Sequence, residues 1–353
     1  APALELARGG FPWADVCTDL ARQSRALLAE MNPDGCVYLP GGEVIAPGTL
    51  VRLPGLAAAI ESFVASRSRF LDGPVGEAIV RAVRERGGVL THDDLRFATA
   101  EWTLCARRRV AGRVVWATPL PTHGPSLLDA LDGASPHDTP VDEYRRVLTA
   151  IARRVHLAPD PSGTSMVSAC DPDGNVVVVL HSNSYPRFGS GIVVPEYDLV
   201  LANRAGRGFT PVPGHPNYPS PGQRPLTTLH AWAVSDVAPD GSGEARFFGG
   251  TPGGDNQMPW NCQTIGQIVA GVDDPGLLVC SPRWEWLPAD DGVRVEDGFA
   301  DDDVAALAAA APRLVRTERW GMRSAQQVVV VPRSGEAARG AADPRTVGAS
   351  LGV

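Results

Sequence analysis

A threonine hydroxyl becomes a nucleophile when a base of suitable pKa stands beside it, and one residue can supply both groups. Thr164 is placed for that chemistry. It follows Ala158-Pro-Asp-Pro-Ser162 and Gly163, a Pro-rich segment that reads as an exposed linker. After it, Ser168 to Cys170 and Val176 to Leu180 read as short strands joined by the turn Asp171-Pro-Asp-Gly-Asn175. A cut before Thr164 would leave its α-amine free. Such an amine titrates at about 7.7–8.0, so near neutral pH it can take the proton of the neighbouring hydroxyl. Amide hydrolysis also needs donors for the developing oxyanion. Backbone N–H groups of glycine can approach a substrate closely enough to serve, but Gly249-Gly-Thr-Pro-Gly-Gly-Asp255, read alone, is a turn after a strand.

The elements that must position these residues follow from periodicity. Apolar residues recur at helical spacing over 14–31, 73–86 and 142–155, with Pro12 and Pro74 near two of the starts and Thr91 as the N-cap of a further entry. Arg113 to Ala117 reads as a strand ended by Pro119 and Pro121. Beyond Thr164 the strands expected are 165–170, 176–182, 190–201, 229–235 and 244–250. A helix follows at about 260–271, and a last strand at 327–331. Strand alternation places His181 on the opposite face from Ser182. Helices dominate before residue 163 and strands after it, which implies two lobes sharing one core.

Thr164-Ser-Met-Val-Ser-Ala-Cys-Asp-Pro-Asp-Gly-Asn175 resembles the start of the small subunit of the gamma-glutamyltransferase family. Further family-like motifs follow in the same order: Phe188-Gly-Ser-Gly-Ile-Val-Val-Pro195, Arg224-Pro-Leu-Thr-Thr228, Gly250-Thr-Pro-Gly-Gly254, Pro282-Arg-Trp284 and Gly340-Ala-Ala-Asp-Pro-Arg345. Upstream, Gly73-Pro-Val-Gly-Glu-Ala-Ile79 and Gly87-Gly-Val-Leu-Thr-His-Asp-Asp-Leu95 are similar to the middle of the large subunit. The resemblance spans nearly the whole chain. It implies an α+β fold, the four-layer αββα sandwich of N-terminal-nucleophile hydrolases, and a precursor cut into a large-subunit portion (1–163) and a small subunit (164–353).

The resemblance also implies site roles. Thr164 is the nucleophile, Gly253 and Gly254 form the oxyanion hole, and Ser182 hydrogen-bonds the nucleophile. Asn183 orients substrate, and Thr227 and Thr228 match a Ser-Ser pair that holds the substrate α-carboxylate. The clearest departure is Leu201-Ala-Asn-Arg-Ala-Gly-Arg-Gly-Phe209. Asn203 is kept there, but Arg204 and Arg207 stand near the places where typical members carry the acids or amides that grip the glutamate ammonium. Arginine repels an ammonium group and binds carboxylate, so the expected substrate carries no ammonium beside its acyl group, unless Asp255 rebuilds that site. Ser165-Met166 also departs from the family's Thr-His. Relative to the family, the region before Ala1 and the stretch from Gly133 to Ser162 are short. The Arg that holds the glutamate carboxylate in relatives would fall before Ala1, and further residues are expected to flank these segments in the full protein.

Three function classes follow: a hydrolase of gamma-glutamyl or related acyl amides, a carbon–carbon bond hydrolase of the kind found among actinobacterial relatives in natural-product pathways, and a catalytically inactive binding homologue. The formal charge of −8 argues against a nucleic-acid partner, and no run of 18 apolar residues suggests a membrane span. All 32 basic residues are arginine, the mark of a GC-rich coding sequence. The six cysteines are widely and irregularly spaced, which predicts buried reduced thiols rather than a disulfide framework or metal site. The chemistry calls for no cofactor. No leader is evident, which favours the cytoplasm, and the expected partners are a small-molecule substrate and the two subunits of one precursor.

Overall fold

The computed structural model describes residues 2–154, 163–237, 243–332 and 337–352. The expected linker at 158–162 and the end of the expected helix at 155 lie outside the described residues. The backbone forms two units: Ala1–Trp102 with Asn183–Arg204, and Thr103–Ser182 with Ala205–Val353. Each draws residues from both sides of Thr164, so the compact units and the expected subunits are different divisions of the chain.

In the second unit the strands are β1 (Ala106–Val110), β2 (Arg113–Ala117), β3 (Thr164–Cys170), β4 (Val176–Ser182), β5 (Trp232–Ser235), β6 (Ala245–Gly250), β7 (Trp284–Leu287), β8 (Gly292–Glu296), β9 (Leu314–Thr317), β10 (Gln327–Val330) and β11 (Arg339–Ala342). The helices are α1 (Gly124–Ala130), α2 (Pro140–Arg153), α3 (Gln257–Val269), α4 (Pro275–Cys280) and α5 (Asp301–Ala310). Six strands pair antiparallel in the order β11-β10-β6-β5-β2-β1. Their inward residues Val115, Ala117, Trp232, Val234, Phe247, Val328 and Val330 meet the helices in one core with Tyr144, Ile265 and Trp284. Burial of each such large side chain contributes about 1.5–3 kcal/mol.

Helix α2 shows why the local sequence folds as it does. Thr139 caps it in a capping box with Asp142, and Pro140 occupies the first turn, where its missing N–H does no harm. Tyr144, Val147, Ala150 and Ile151 then fall on one face and are buried.

On the other face of the sheet lies the hairpin of β3 and β4. Gly250 of β6 packs there: a Cβ at this position would stand 3.3 Å from Met166 Sδ and 3.4 Å from Leu180 Cδ1. Gln327 joins the two sheets, accepting from Ser168 Oγ (3.0 Å) and donating to the Met166 carbonyl (2.9 Å). Together these elements form a helix layer, a sheet and a second sheet. Sheet β7-β8-β9 and helix α5 complete the unit.

The first unit holds helices Asp15–Gln23, Arg25–Met31, Pro54–Ser66 and Pro74–Arg84. The buried Asn32 amide ties the 183–204 excursion to them. It donates to the Leu28 and Gly191 carbonyls (2.8 Å each) and accepts from the Val193 N–H (3.0 Å). The strand expected at 190–201 is only Val193–Val194 paired with Leu199–Val200. Positive φ at Gly191 and Asp198, and the donor missing from Pro195, break the longer run.

All six cysteines are free, but only Cys262 is buried; Cys105 is exposed and the others are half-buried. The expectation of buried thiols is therefore corrected, because wide spacing on mixed surfaces carries no burial signal. Among the described residues no helix is long and apolar enough to cross a membrane.

Candidate active site

Thr164 opens β3 and pairs in register with Ser182, the last residue of β4. The Ser182 hydroxyl donates to the carbonyl of Gly163 at 3.0 Å, the carbonyl of the bond that precedes Thr164. His181 and Ser165 lie on the outer, exposed face of the hairpin, as alternation requires.

The strand that precedes the glycine loop runs toward this end of the hairpin. The hairpin turn at Gly174 lies beside Val331, just past β10. Strand β10 therefore runs toward the turn, and β6, antiparallel to it with Gly250 opposite Gln327, runs toward the Thr164–Ser182 end. Beyond Gly250 the chain leaves the strand as Thr251 to Asn256, with a 3-10 turn at Gly254–Asn256. Gly253 has φ +146°, and a Cβ there would lie 2.2 Å from the Trp260 ring, so only glycine fits. The Gly254 N–H is accepted by the Gln257 side-chain oxygen at 3.2 Å; that oxygen also accepts from the Thr228 hydroxyl at 3.2 Å, while the amide nitrogen donates to the Thr251 carbonyl at 3.1 Å. The buried Gln257 thus fixes both ends of the loop and joins it to Thr228.

Behind Thr228 runs a buried chain. His230 Nδ1 donates to the Thr228 carbonyl (2.8 Å), its Nε2 accepts from Asn261 (2.9 Å), and Asn261 accepts from Trp232 Nε1 (2.8 Å). Burial holds His230 neutral, with its pKa lowered to about 4 and the Arg154 charge adding to the effect. Thr227 is bound through its backbone, donating to the Pro121 carbonyl at 2.9 Å. Asp255 forms a buried ion pair with Arg154, whose Nη2 lies 3.5 Å from Asp255 Oδ1. Arg154 also reaches His123 Nδ1 at 3.3 Å and stacks over Trp286. Burial lowers the Arg154 pKa, and Asp255 partly offsets this.

The second unit therefore holds Thr164, Ser182, Thr227, Thr228, Gly253, Gly254 and Asp255, while the first holds Asn183, Asn203 and Arg204. Within the first unit the Asn203 N–H donates to the Asn183 carbonyl (2.9 Å), and Asn203 Nδ2 to the Tyr185 carbonyl (3.0 Å). Arg204 begins a short helix, Arg204–Gly208, and both Arg204 and Arg207 are half-buried.

The sequence profile described as Gamma-glutamyltranspeptidase matches residues 1–158 and 134–353. The chain belongs to this family. Among curated members, the glutathione hydrolase proenzyme of Escherichia coli is 26% identical over 98% of this chain and 69% of its own length. The oxamate amidohydrolase proenzyme of Klebsiella pneumoniae is 23% identical over 100% of this chain and 75% of its own. Cephalosporin acylase from Bacillus halodurans superposes with a TM-score of 0.82 at 23% identity, over 98% of this chain and 72% of that one. The fold is thus the α+β sandwich of the N-terminal-nucleophile hydrolases. Sequence reasoning did not single out Arg154, His123, His230, Gln257 or Asn261 of this family member. The one available signal was proximity: His230 follows Thr228 by two positions and Gln257 follows Gly254 by three.

Proposed function

We propose that this family member is an autoprocessed hydrolase that cleaves an acyl amide through Thr164. The observation that carries the reading is the Ser182 hydroxyl on the Gly163 carbonyl, with Thr164 next in the chain. A donor at that carbonyl favours attack on its carbon by Thr164 Oγ, which breaks the Gly163–Thr164 bond and forms an ester. Water then hydrolyses the ester, leaving a Gly163 carboxylate and the free Thr164 amine. In the mature enzyme that amine takes the Oγ proton as Oγ attacks the substrate carbonyl. The amine product leaves with the proton, and water releases the acyl group.

The Gly253 and Gly254 amides are the proposed oxyanion donors. For Gly254 this requires the Gln257 oxygen to share or yield its bond. Gamma-glutamyl or related acyl amides are the substrate class, in keeping with the hydrolase and amidohydrolase names of the relatives. Arg204 and Arg207 stand in sequence where typical members carry ammonium-gripping groups, and Asp255 is paired with Arg154. A glutaryl anilide should therefore be hydrolysed with higher kcat/KM than its gamma-glutamyl counterpart.

A denaturing gel tests the core of this reading. The native chain should yield two fragments, the smaller beginning Thr-Ser-Met, while Thr164→Ala stays as one polypeptide. Two fragments from that variant would overturn the proposal.

A further inference from the structure

We propose that Arg154 is a specificity-determining residue: its guanidinium fills, from within the chain, a cation cage beside the Gly253–Gly254 loop and so shuts out a substrate ammonium. The proposal deepens the functional reading above and rests on it for the place of the acyl site.

Three features around Arg154 each recognise a cation. Asp255 supplies a carboxylate at 3.5 Å, the Trp286 ring centroid lies 5.7 Å from the guanidinium carbon, and His123 Nδ1 stands 3.3 Å from Nη1. Arginine only donates, so His123 Nδ1 is the acceptor and the ring carries its proton on Nε2. A carboxylate, an aromatic face and an imidazole lone pair together suit guanidinium or ammonium.

Arg154 fits this cage loosely. Its ion pair is a single long contact, and its Nε is buried without an acceptor. Arg345 of the same unit is matched far better: it donates to Glu296 (2.7 Å), Asp343 (2.9 Å) and the carbonyls of Val279 (3.0 Å) and Ser281 (2.8 Å). The cage thus leaves one donor of its present occupant unmatched.

The occupant also stays in place after maturation. Arg154 closes α2, with its N–H on the Ala150 and Ile151 carbonyls, and the inner face of α2 lies in the core. A cut at Gly163–Thr164 leaves that anchor intact. Asp255 therefore meets a tethered cation before and after processing, and a substrate ammonium has no unmatched carboxylate to bind there.

Two measurements test the cage. In uncut Thr164→Ala protein, methylguanidinium binding is followed by calorimetry and by the unfolding midpoint. Arg154→Ala and Arg154→Met should bind the probe saturably and gain stability from it, whereas the parent and the Arg154→Ala/Asp255→Asn double variant should not. This arm needs neither cutting nor turnover, so it decides the cage even if the catalytic reading fails. In the mature enzyme, Arg154→Ala should raise the ratio of kcat/KM for gamma-glutamyl over glutaryl anilide by about tenfold or more. Folded Arg154 variants that ignore methylguanidinium would overturn the proposal, as would variants that stay unfolded in its presence or an unchanged substrate ratio.

Discussion

His230 is buried among neutral partners that use both of its ring nitrogens, and its folded pKa of about 4 lies below its ordinary 6.5. The unfolded chain therefore takes up this proton first as pH falls. The contribution to stability is intact above about pH 6.5 and is lost on the way down to about pH 4, at about 1.4 kcal/mol per pH unit within that window. Urea unfolding at pH 7 and pH 5 should show this loss in the native chain and a smaller one in His230→Asn. Equal losses in the two would show that other groups dominate. Ser182 makes a second prediction at this scale. Ser182→Ala removes about 1 kcal/mol of hydrogen bonding to the Gly163 carbonyl, so cutting should slow several-fold to tenfold while the hairpin still folds. A time course on denaturing gels checks it, and an unchanged rate would remove Ser182 from the processing step.

Two glycines of one segment separate packing from proposed chemistry. A Cβ on Gly250 meets the flexible ends of Met166 and Leu180 at 3.3–3.4 Å, which have to give by a few tenths of an ångström at most, whereas one on Gly253 collides with the Trp260 ring at an unfavourable φ. Gly253→Ala must displace the loop and should lower kcat/KM by about 10²–10³, the usual effect of losing an oxyanion donor. Gly250→Ala should cost far less. Similar losses from the two substitutions would mean that the loop serves only packing. The loop glycines were legible in the sequence because a resemblance ordered them, and the hairpin because turn chemistry and alternation agree over Ser165 to Ser182. Other elements were not. Strands β7 to β9 and helix α5 are short or carry an alanine-rich face, and their pairing is settled by distant partners such as the Tyr144 ring against Trp284. Strand β11 is a four-residue run, Arg-Gly-Ala-Ala, that owes its conformation to pairing with β10. Arg154 escaped notice because its partners, at 123, 255 and 286, are distant in sequence.

At the scale of the whole molecule, the carboxyl-terminal motif is held by buried charge. Arg283, Glu296, Asp343 and Arg345 gather two cations and two anions; Arg283, Asp343, Arg345 and Glu296 side chains are fully buried in their ion pairs. Ser324 and the Gln326 N–H complete the Asp343 carboxylate, and the Arg345 guanidinium also satisfies the last carbonyls of the α4 region. Such a group gains little over an apolar equivalent, but removing one member leaves buried charge without its match, at about 3–5 kcal/mol. Arg345→Met should therefore lower stability by about that amount. Adding Glu296→Gln should recover part of it, because one uncompensated carboxylate is then neutral. Arg345→Lys should not rescue, since one ammonium cannot reach the several acceptors that the fork of Arg345 spans. Urea unfolding of the uncut Thr164→Ala chain measures this without dissociation of fragments, provided that the dependence on urea keeps its slope. A loss below about 1 kcal/mol for Arg345→Met would mean that water enters and screens the cluster, and the motif would then be anchored by its strand pairing alone.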